Sequence, residues 1–480
     1  MTLIILTVLF LGLFLIATSR ITNINKAAVA IFMGTVGWVL YVSYGSDFIM
    51  SAHPREYIDF LNGTLGSSTT VKEYIAQYVF LKYVGQAAEI VLFLLATMTI
   101  VEVLDNNGCF DFINALLKTR RSRKLLWTLA AVTFLLSANL DNLTTTILML
   151  TLMHRIVNNR RQRMALGATI LISATCGGAL TVIGDPVGLV LWNMGAIEAT
   201  NYSLSLLLPC LVAWALPVWL IGRTLPERVD CQWMAMPYRG DDTRLHPWQR
   251  LLMLFVGIGG LWFIPSFHNI TKLSPFLGAL CVLSVLWIVN ELVNRKLLSA
   301  GQLDSRRPQI LKYGVIQMML YVMGIMLTLG VVRETGTLQT LSSWWEEYVA
   351  AWCRENHIND IWISGILSGM MGGLVDSFAS AMSFISMDTV EPLLPSVSPD
   401  AVIPDFRMQY AVNGLYWKVV AYCSAMGGNL LAVGSVSGMA LLKMEHMHVG
   451  WYLKNVGWKA VFGALAGLVL MWAMSFLEWM

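Results

Sequence analysis

The chain is dominated by apolar stretches that carry almost no charge and run for about 20 residues, the length that an α-helix needs to cross a membrane. Of its 480 residues, 56% are apolar and only 13% are charged, whereas soluble domains carry about 25% charged residues. The sequence therefore predicts an all-α polytopic protein of the lipid bilayer and excludes a soluble enzyme. A net charge of +3 gives no reason to expect nucleic-acid binding.

The apolar stretches fall into two halves with the same order of elements. Each half has three spans, a candidate re-entrant helical hairpin, a candidate broken transmembrane helix and a final span. In the first half, residues 1–222, these elements are 3–19, 27–45, 84–104, the hairpin 125–154, the broken helix 164–197 and 203–222. In the second half, residues 251–480, they are 251–267, 275–293, 313–331, the hairpin 361–387, the broken helix 409–442 and about 457–477. Residues 223–250 form a cytoplasmic linker.

Loop charges orient the two halves in opposite ways. Basic clusters flank the first hairpin at residues 118–124 and 155–163, and Lys and Arg mark cytoplasmic loops. Arg20 and Lys26 assign the loop before the second span to the same side. The second hairpin has acidic flanks instead. The sequence thus predicts an inverted-topology repeat, with one hairpin entering from the cytoplasm and the other from outside.

Polar residues and glycines interrupt both hairpins and both candidate broken helices. The first hairpin carries Asp141-Asn142 near its middle, and the second carries Asp376-Ser377. Glycine pairs precede Gly184-Asp185-Pro186 in the first broken helix and Gly434-Ser435 in the second. Since glycine and proline weaken helices, both helices are predicted to break at mid-membrane. The residues assigned to the breaks are Gly177, Gly178, Gly184, Pro186, Gly427, Gly428 and Gly434.

Three carboxylates lie on these interruptions. A charge at mid-membrane is costly unless a partner compensates it, and Na⁺ prefers oxygen ligands. A carboxylate that releases a cation there is expected to bind a proton, because burial disfavours the charged form. We therefore expect a site that binds either a cation or a proton. Its candidate residues are Asp141, Asn142, Thr145, Asp185, Asp376, Ser377, Ser380, Asn429, Ser435 and Ser437, with Asp141, Asp185 and Asp376 as the sodium ligands.

Structural roles are also open to these residues. Asp141 and Asp376 are placed to cap the second arm of each hairpin by accepting hydrogen bonds from backbone amides. Asp185 is placed to form a turn before a proline, and Ser435 and Ser437 to bond within a helix. Lys418 and Glu102 are further charges within apolar segments, for which either pairing or snorkelling to the membrane surface is open. The seven dispersed cysteines predict free buried thiols.

The segments around the breaks resemble one family. FLLSANLDNLTTTILML (134–150), GGALTVIGDPVGLVLW (177–192), GGLVDSFASAM (372–382) and AYCSAMGGNLLAVGSVSGMALL (421–442) resemble the NhaD-type sodium/proton antiporters of the ion transporter superfamily. MTIVEVLDNNGCFDFI (98–113) is similar to another stretch of that family. The resemblance implies Na⁺ or Li⁺ efflux against proton entry, a homodimer, and an elevator-like transport domain that moves against a scaffold. It also implies a bacterial inner membrane.

The chain departs from the family pattern at three points. Pro186-Val187-Gly188 stands where the family has a Thr-rich run, and Asp376-Ser377-Phe378-Ala379-Ser380 where it has Asp-Asn followed by Val-Pro. Ala425-Met426 precedes the second glycine pair, where the family often has a small residue plus Thr. These changes leave the transported ion open. A sodium-coupled, dicarboxylate-like anion symporter of the same superfamily is the main alternative.

An enzyme is the more distant alternative. Two membrane aspartates are a feature of intramembrane aspartyl proteases, but their Gly-x-Gly-Asp motif is replaced here by Val182-Ile183-Gly184-Asp185. The sequence also has no Walker A, HExxH or GxSxG motif. We therefore predict a transporter that is not an enzyme, requires no cofactor and is driven by ion gradients.

Overall fold

The computed structural model describes residues 2–22, 24–62, 65–230, 245–298, 313–388 and 409–477. These residues are almost entirely helical and form no β-strand; one isolated antiparallel bridge joins Arg121 and Arg228. Residues 231–244 of the predicted linker lie outside the described residues. So do most of the acidic flank after the second hairpin and the last three residues of the second half.

The helices of the first half are α1 (Thr2–Ala17), α2 (Ser19–Thr22), α3 (Lys26–Ser43), α4 (Gly45–Ala52), α5 (Pro54–Leu61), α6 (Ser68–Asn106), α7 (Asp111–Leu116), α8 (Ser122–Ser137), α9 (Asn142–Ile156), α10 (Arg160–Leu180), α11 (Pro186–Asn193) and α12 (Ala199–Gly222). Those of the second half are α13 (Pro247–Thr271), α14 (Pro275–Leu298), α15 (Tyr313–Glu334), α16 (337–355), α17 (Asp360–Leu374), α18 (Ser377–Met387), α19 (Leu415–Gly427), α20 (Val436–Met444) and α21 (Val449–Ser475). One π-helical turn lies within each of α6, α13, α16 and α21.

Within the described residues, eight helices are long and apolar enough to span a membrane: α3, α6, α10, α12, α13, α14, α15 and α21. The prediction of an all-α polytopic membrane protein is therefore confirmed. Several spans differ from their predicted bounds: α13 extends beyond the predicted 251–267 at both ends, and α21 begins before the predicted span at about 457–477. The predicted span 3–19 is the 16-residue helix α1, and the predicted span 84–104 is the end of the 39-residue helix α6.

Both candidate hairpins are present as pairs of packed helices. In the first, α8 and α9 are joined by residues 138–141 and contact each other. In the second, α17 and α18 are joined by Val375 and Asp376 and also contact each other. The side from which each hairpin enters the membrane, and the inverted orientation of the two halves, stay predictions.

Both candidate broken helices are interrupted. Of the residues assigned to the breaks, Gly184, Gly428 and Gly434 lie in the interruptions and Pro186 begins α11, whereas Gly177 and Gly178 lie within α10 and Gly427 is the last residue of α19. The first is interrupted between α10 and α11, at residues 181–185, and the second between α19 and α20, at residues 428–435. Every residue from Leu166 to Leu180 is buried, and so is every residue from Tyr416 to Met426. A helix buried on all sides lies in the interior of a bundle. The breaks are therefore deep in the protein, where polar backbone groups need protein partners.

Glycines bring the hairpin backbones into direct contact with the breaks. A Cβ atom on Gly434 would lie 2.0 Å from the carbonyl oxygen of Gly372 in the second hairpin. A Cβ on Gly184 would lie 2.5 Å from the carbonyl oxygen of Ser137 in the first. Only glycine permits such an approach. Each hairpin is thus seated against the broken helix of its own half.

Helices α4 and α5, which precede α6, contribute to a hydrophobic cluster separate from the main core. Aromatic side chains pack there in edge and stacked arrangements, among them Trp38, Tyr41, Phe48, Tyr57 and Tyr74. This cluster packs α4, α5 and the start of α6 against one another. The described cysteines are free as predicted. The prediction that all are buried is wrong, because Cys281 is exposed, and Cys231 lies outside the described residues.

Candidate functional site

Asp141 lies at the tip of the first hairpin and caps α9. Its Oδ2 accepts hydrogen bonds from the backbone N–H of Thr144, over 3.0 Å, and from the Thr144 hydroxyl, over 3.2 Å. A carboxylate at this position satisfies amides that the helix itself leaves unpaired and favours the positive end of its dipole. The structural capping role that the sequence left open for Asp141 is therefore present.

The other oxygen of Asp141 has no such partner. Asp141 Oδ1 and the Thr145 hydroxyl oxygen are both buried and have no hydrogen-bond partner among the described residues. The two residues are 2% and 0% exposed and lie one helical turn apart, on the same side of α9. Buried polar atoms are almost always paired, so two neighbouring oxygens without partners indicate a place for something the protein binds.

Asp185 lies at the first break and caps α11. Its Oδ2 accepts from the backbone N–H of Val187 over 3.2 Å, and its Oδ1 accepts from the Asn142 amide group over 2.8 Å. Asp185 is also close enough to Asp141 and Asp376 to interact electrostatically with both. The structure thus brings the three predicted carboxylates into one region, although both oxygens of Asp185 are already engaged.

Asp376 caps α18 at the tip of the second hairpin. Its Oδ1 accepts from the backbone N–H groups of Phe378 and Ala379, over 3.0 and 3.3 Å. Ser380, which occupies the position of Thr145 relative to its aspartate, is not free: its hydroxyl donates to the carbonyl oxygen of Ser368 over 2.7 Å. The second tip therefore differs from the first in having its side-chain oxygens engaged.

The two halves make the same backbone contacts at the same offsets. The N–H of Asn142 donates to the carbonyl of Gly184 over 3.2 Å, and the N–H of Ser377 donates to the carbonyl of Gly434 over 2.7 Å. In each half, the donor follows the aspartate at the hairpin tip and the acceptor precedes the residue that caps the second half of the broken helix. The local architecture of tip and break is therefore repeated.

The two broken helices meet through polar and sulfur contacts. The Thr175 hydroxyl donates to the side-chain oxygen of Asn429 over 2.9 Å, and Cys176 Sγ lies 3.7 Å from Met426 Sδ. Ser435 caps α20 by accepting from the Gly438 N–H over 3.1 Å, and the Ser437 hydroxyl lies 3.4 Å from that of Ser435. Four helices thus begin in this region with polar caps: α9 and α18 at the hairpin tips, and α11 and α20 at the breaks.

Lys26 also lies in this region, although its position in the sequence indicated only a cytoplasmic loop. Lys26, the first residue of α3, donates to the carbonyl of Val433 over 2.9 Å and to Asp376 Oδ2 over 3.3 Å. It also lies 3.5 Å from the carbonyl of Val375. Its side chain is 11% exposed and that of Asp376 is 2% exposed. The ammonium group of Lys26 therefore forms an ion pair inside the protein and is not exposed on a loop.

Thr175 was also not predicted from the sequence. The signal that could have identified it is its position as a polar residue two places before a glycine pair. Lys418 is fully buried, and its ammonium donates to the Ser205 hydroxyl over 3.0 Å. Of the two roles left open for Lys418, burial inside the protein excludes snorkelling to the surface. Glu102 lies half-buried in α6.

The comparison with protein families decides what kind of protein contains this site. The family model CitMHS, described as citrate transporter, matches residues 1–403. The chain belongs to this citrate transporter family. The eight candidate membrane spans of the described residues agree with the membrane transporter that this family description names.

Several curated relatives of this family member carry antiporter names. Sodium/proton antiporter 1 of Arabidopsis thaliana is 30% identical over 387 residues, which cover 80% of this chain and 61% of that protein. Sodium/proton antiporter 2 of the same plant is 28% identical over 396 residues, 80% of this chain and 85% of that protein. The Na⁺/H⁺ antiporter NhaD of Vibrio parahaemolyticus is 23% identical over 387 residues, 74% of this chain and 82% of that protein. The chain thus spans less than two thirds of the first of these relatives. The resemblance to NhaD-type antiporters is confirmed.

Proposed function

We propose that the protein is an antiporter that exports Na⁺ or Li⁺ in exchange for protons. The observation that carries the proposal is the pair of buried oxygens without partners, Asp141 Oδ1 and Thr145 Oγ1. A carboxylate and a hydroxyl oxygen suit a hard cation, and the same carboxylate suits a proton. The names of the curated relatives support the same activity.

Exchange follows if the cation and the proton compete for one carboxylate. When either is bound, the charge of Asp141 is neutralised and the site tolerates burial. When neither is bound, a bare carboxylate has to be stabilised deep in the protein, which is costly in free energy. The empty site is therefore the state least able to change the side to which it opens. A proton gradient directed inwards then drives sodium outwards through the same site.

We propose an elevator-like motion as the means of alternating access. The helices pack in two groups, which supports a division into a fixed and a moving part. In one group, α3 packs along α15 and α6 along α14. In the other, α8–α12 and α17–α21 pack around the breaks. The groups meet where α15 contacts α18 and where α6 contacts α11. Polar contacts across this boundary include Lys26 with Asp376, and Glu89 with Asn193 over 2.6 Å. In this proposal the first group is the scaffold and the second is the transport domain.

A sodium-coupled anion symporter is the second candidate. It is favoured by the family description and by the four helix N-termini at the hairpin tips and breaks, because helix N-termini attract anions. However, Asp141, Asp185 and Asp376 cap three of these N-termini. Their carboxylates occupy the positions an anionic substrate would use and repel it. The balance of charge therefore favours a cation as the transported species.

The decisive experiment is cation-dependent proton movement in proteoliposomes that contain the purified protein and an internal pH dye. We expect addition of NaCl or LiCl to drive proton movement, and choline chloride to have no effect. Sodium-dependent uptake of ¹⁴C-citrate or ¹⁴C-succinate without cation-driven proton movement would refute antiport and establish the symporter.

A homodimer and a bacterial inner membrane complete the proposal, and both rest on the resemblance to NhaD-type antiporters. Native mass spectrometry of the protein released from detergent tests the first part. A mass of one protomer under conditions that preserve exchange activity would contradict the dimer.

A further inference from the structure

The ammonium group of Lys26 is bound as an alkali cation would be bound. Its ligands are one carboxylate oxygen, from Asp376, and two backbone carbonyl oxygens, from Val375 and Val433. Val375 lies at the tip of the second hairpin and Val433 at the break between α19 and α20. Neither carbonyl is used by a regular helix there. Carbonyls freed at helix breaks are typical cation ligands in transporters.

The tip of the first hairpin has no corresponding cation among the described residues. In the predicted repeat, α14 takes the place of α3; it begins with the uncharged Pro275, and Lys272 just before it is exposed. No basic side chain among the described residues is hydrogen-bonded to Asp141, and its Oδ1 and the Thr145 hydroxyl have no partner there. The two tips are thus alike in backbone and different in what neutralises them.

We propose that Lys26 is a tethered cation that occupies the second of two equivalent cation sites in the conformation of this structure, so that each protomer in this conformation binds a single exchangeable Na⁺ at Asp141 and Thr145. The inference rests on the proposed antiport function and specifies its binding stoichiometry. A lysine suits this role because its ammonium is a compact charge with three donors on a flexible stem. Lys26 supplies all three contacts from a helix of the proposed scaffold.

Removing the ammonium should open the second site. In Lys26→Gln, the charge that neutralises Asp376 is lost, and the carboxylate and two carbonyls become available to a cation from solution. In Lys26→Arg, a positive charge remains and the second site stays closed. In the double variant Lys26→Gln/Asp376→Asn, the amide oxygen no longer has the charge needed to hold a second cation.

The test is equilibrium binding of ²²Na⁺ to the purified full-length chain at alkaline pH, with the amount bound at saturation expressed per protomer. We expect one Na⁺ for the wild type and for Lys26→Arg, a doubling for Lys26→Gln, and a return to one in the double variant. Two Na⁺ per wild-type protomer, or no increase in a folded Lys26→Gln, would overturn the inference. Elution as a single symmetric peak in size-exclusion chromatography establishes folding.

A second variant tests the same inference without altering Lys26. Asp141→Asn should bind no Na⁺ at saturation, because the remaining aspartate tip is occupied by the ammonium. One Na⁺ retained per protomer would show that the second site is open in the native chain, and the inference would fail. Absence of Na⁺ binding and of exchange in the wild type would instead refute the proposed function itself, so the two failures are distinguishable.

Discussion

The hydroxyl of Thr175 shares its one proton between the side-chain oxygen of Asn429, 2.9 Å away, and the carbonyl of Leu171 in its own helix, 3.0 Å away, and the contact with Asn429 joins the two broken helices. Thr175 is 4% exposed and Asn429 is 2% exposed, so water does not replace the bond if it is lost. The backbone oxygen of Asn429 accepts from the Tyr452 hydroxyl over 3.0 Å. Asn429 therefore ties the second break to α10 in the other half and to α21 in its own half.

We predict that Thr175→Val destabilises the protein by about 1–3 kcal/mol, because it leaves the Asn429 oxygen buried and unpaired while keeping the shape of the side chain. Thermal unfolding of the purified protein in detergent measures the change. We expect the two broken helices to lose their relative alignment as well, and the sodium/proton exchange rate to fall.

Thr169→Val is the matched control for this change. Thr169 lies in the same helix and is fully buried, but within the part of the chain that the structure describes its hydroxyl donates to the carbonyl of Ala165 in its own helix, over 3.0 Å, and to no side chain of another helix. Its replacement leaves no side chain of another helix unpaired, so a smaller shift is expected. Equal shifts for the two variants would show that the contact between the halves adds no stability.

We predict that Asp141→Asn abolishes exchange while the protein still folds. The asparagine oxygen can accept from the Thr144 N–H as the carboxylate does, so the cap of α9 is retained. The negative charge that competes for Na⁺ and H⁺ is lost. Cation-driven proton movement in proteoliposomes should fall to the level of empty liposomes.

Asp47→Asn provides a control for this substitution, since Asp47 is exposed and lies in the first turn of α4, away from the breaks. It should exchange at the wild-type rate. Wild-type exchange in folded Asp141→Asn would remove Asp141 from the site and leave its cap as its only role.

The sequence was most informative where structure depends on neighbouring residues. The hairpin tips and helix breaks follow from Gly, Pro and Asp at successive positions, because these residues act on the backbone within one helical turn. The sequence therefore predicted capping by Asp141 and Asp376 as one of their two possible roles. The sequence could not predict which of their oxygens lacks a hydrogen-bond partner, because that depends on which residues the fold brings near.

Contacts between distant segments were beyond the reach of the sequence. Lys26 and Asp376 are 350 residues apart in the chain, and the lysine looked like one more charge at the end of a span. A charge at a helix start is compatible with a cytoplasmic loop and with an internal ion pair. Only the packing of α3 against α15, and of α15 against α18, determines which occurs.

We predict that Gly434→Ala destabilises the protein by at least about 1–3 kcal/mol, the usual cost of overpacking a well-packed interior. The added Cβ would lie 2.0 Å from the carbonyl oxygen of Gly372, so the hairpin has to move away from the break. That movement also weakens the bond from the Ser377 N–H to the Gly434 carbonyl, which is 2.7 Å long. Thermal unfolding and exchange should both be affected.

The control for this prediction is Gly85→Ala. Gly85 lies within α6, and an added Cβ there would have no atom within 4 Å. Alanine in a helix interior is favoured over glycine by roughly 0.5–1 kcal/mol, so this variant should be slightly more stable than the wild type. A Gly434→Ala protein as stable as Gly85→Ala would contradict the close seating of hairpin and break.

A cross-link between the two groups of helices should arrest exchange if the transport domain moves. The Ser274 hydroxyl, at the start of α14, lies 3.0 Å from the side-chain oxygen of Asn193, at the end of α11. Both residues also bond to Glu89 of α6, Asn193 over 2.6 Å and Ser274 over 3.1 Å. The double variant Asn193→Cys/Ser274→Cys, in a background without the native cysteines, should therefore be bridged by Hg²⁺.

We expect Hg²⁺ to stop exchange in this double variant and dithiothreitol to restore it. Exchange by either single-cysteine variant should be unaffected by Hg²⁺. Full exchange with the bridge demonstrably formed would show that these helices keep their positions during transport, and the elevator-like motion would be wrong.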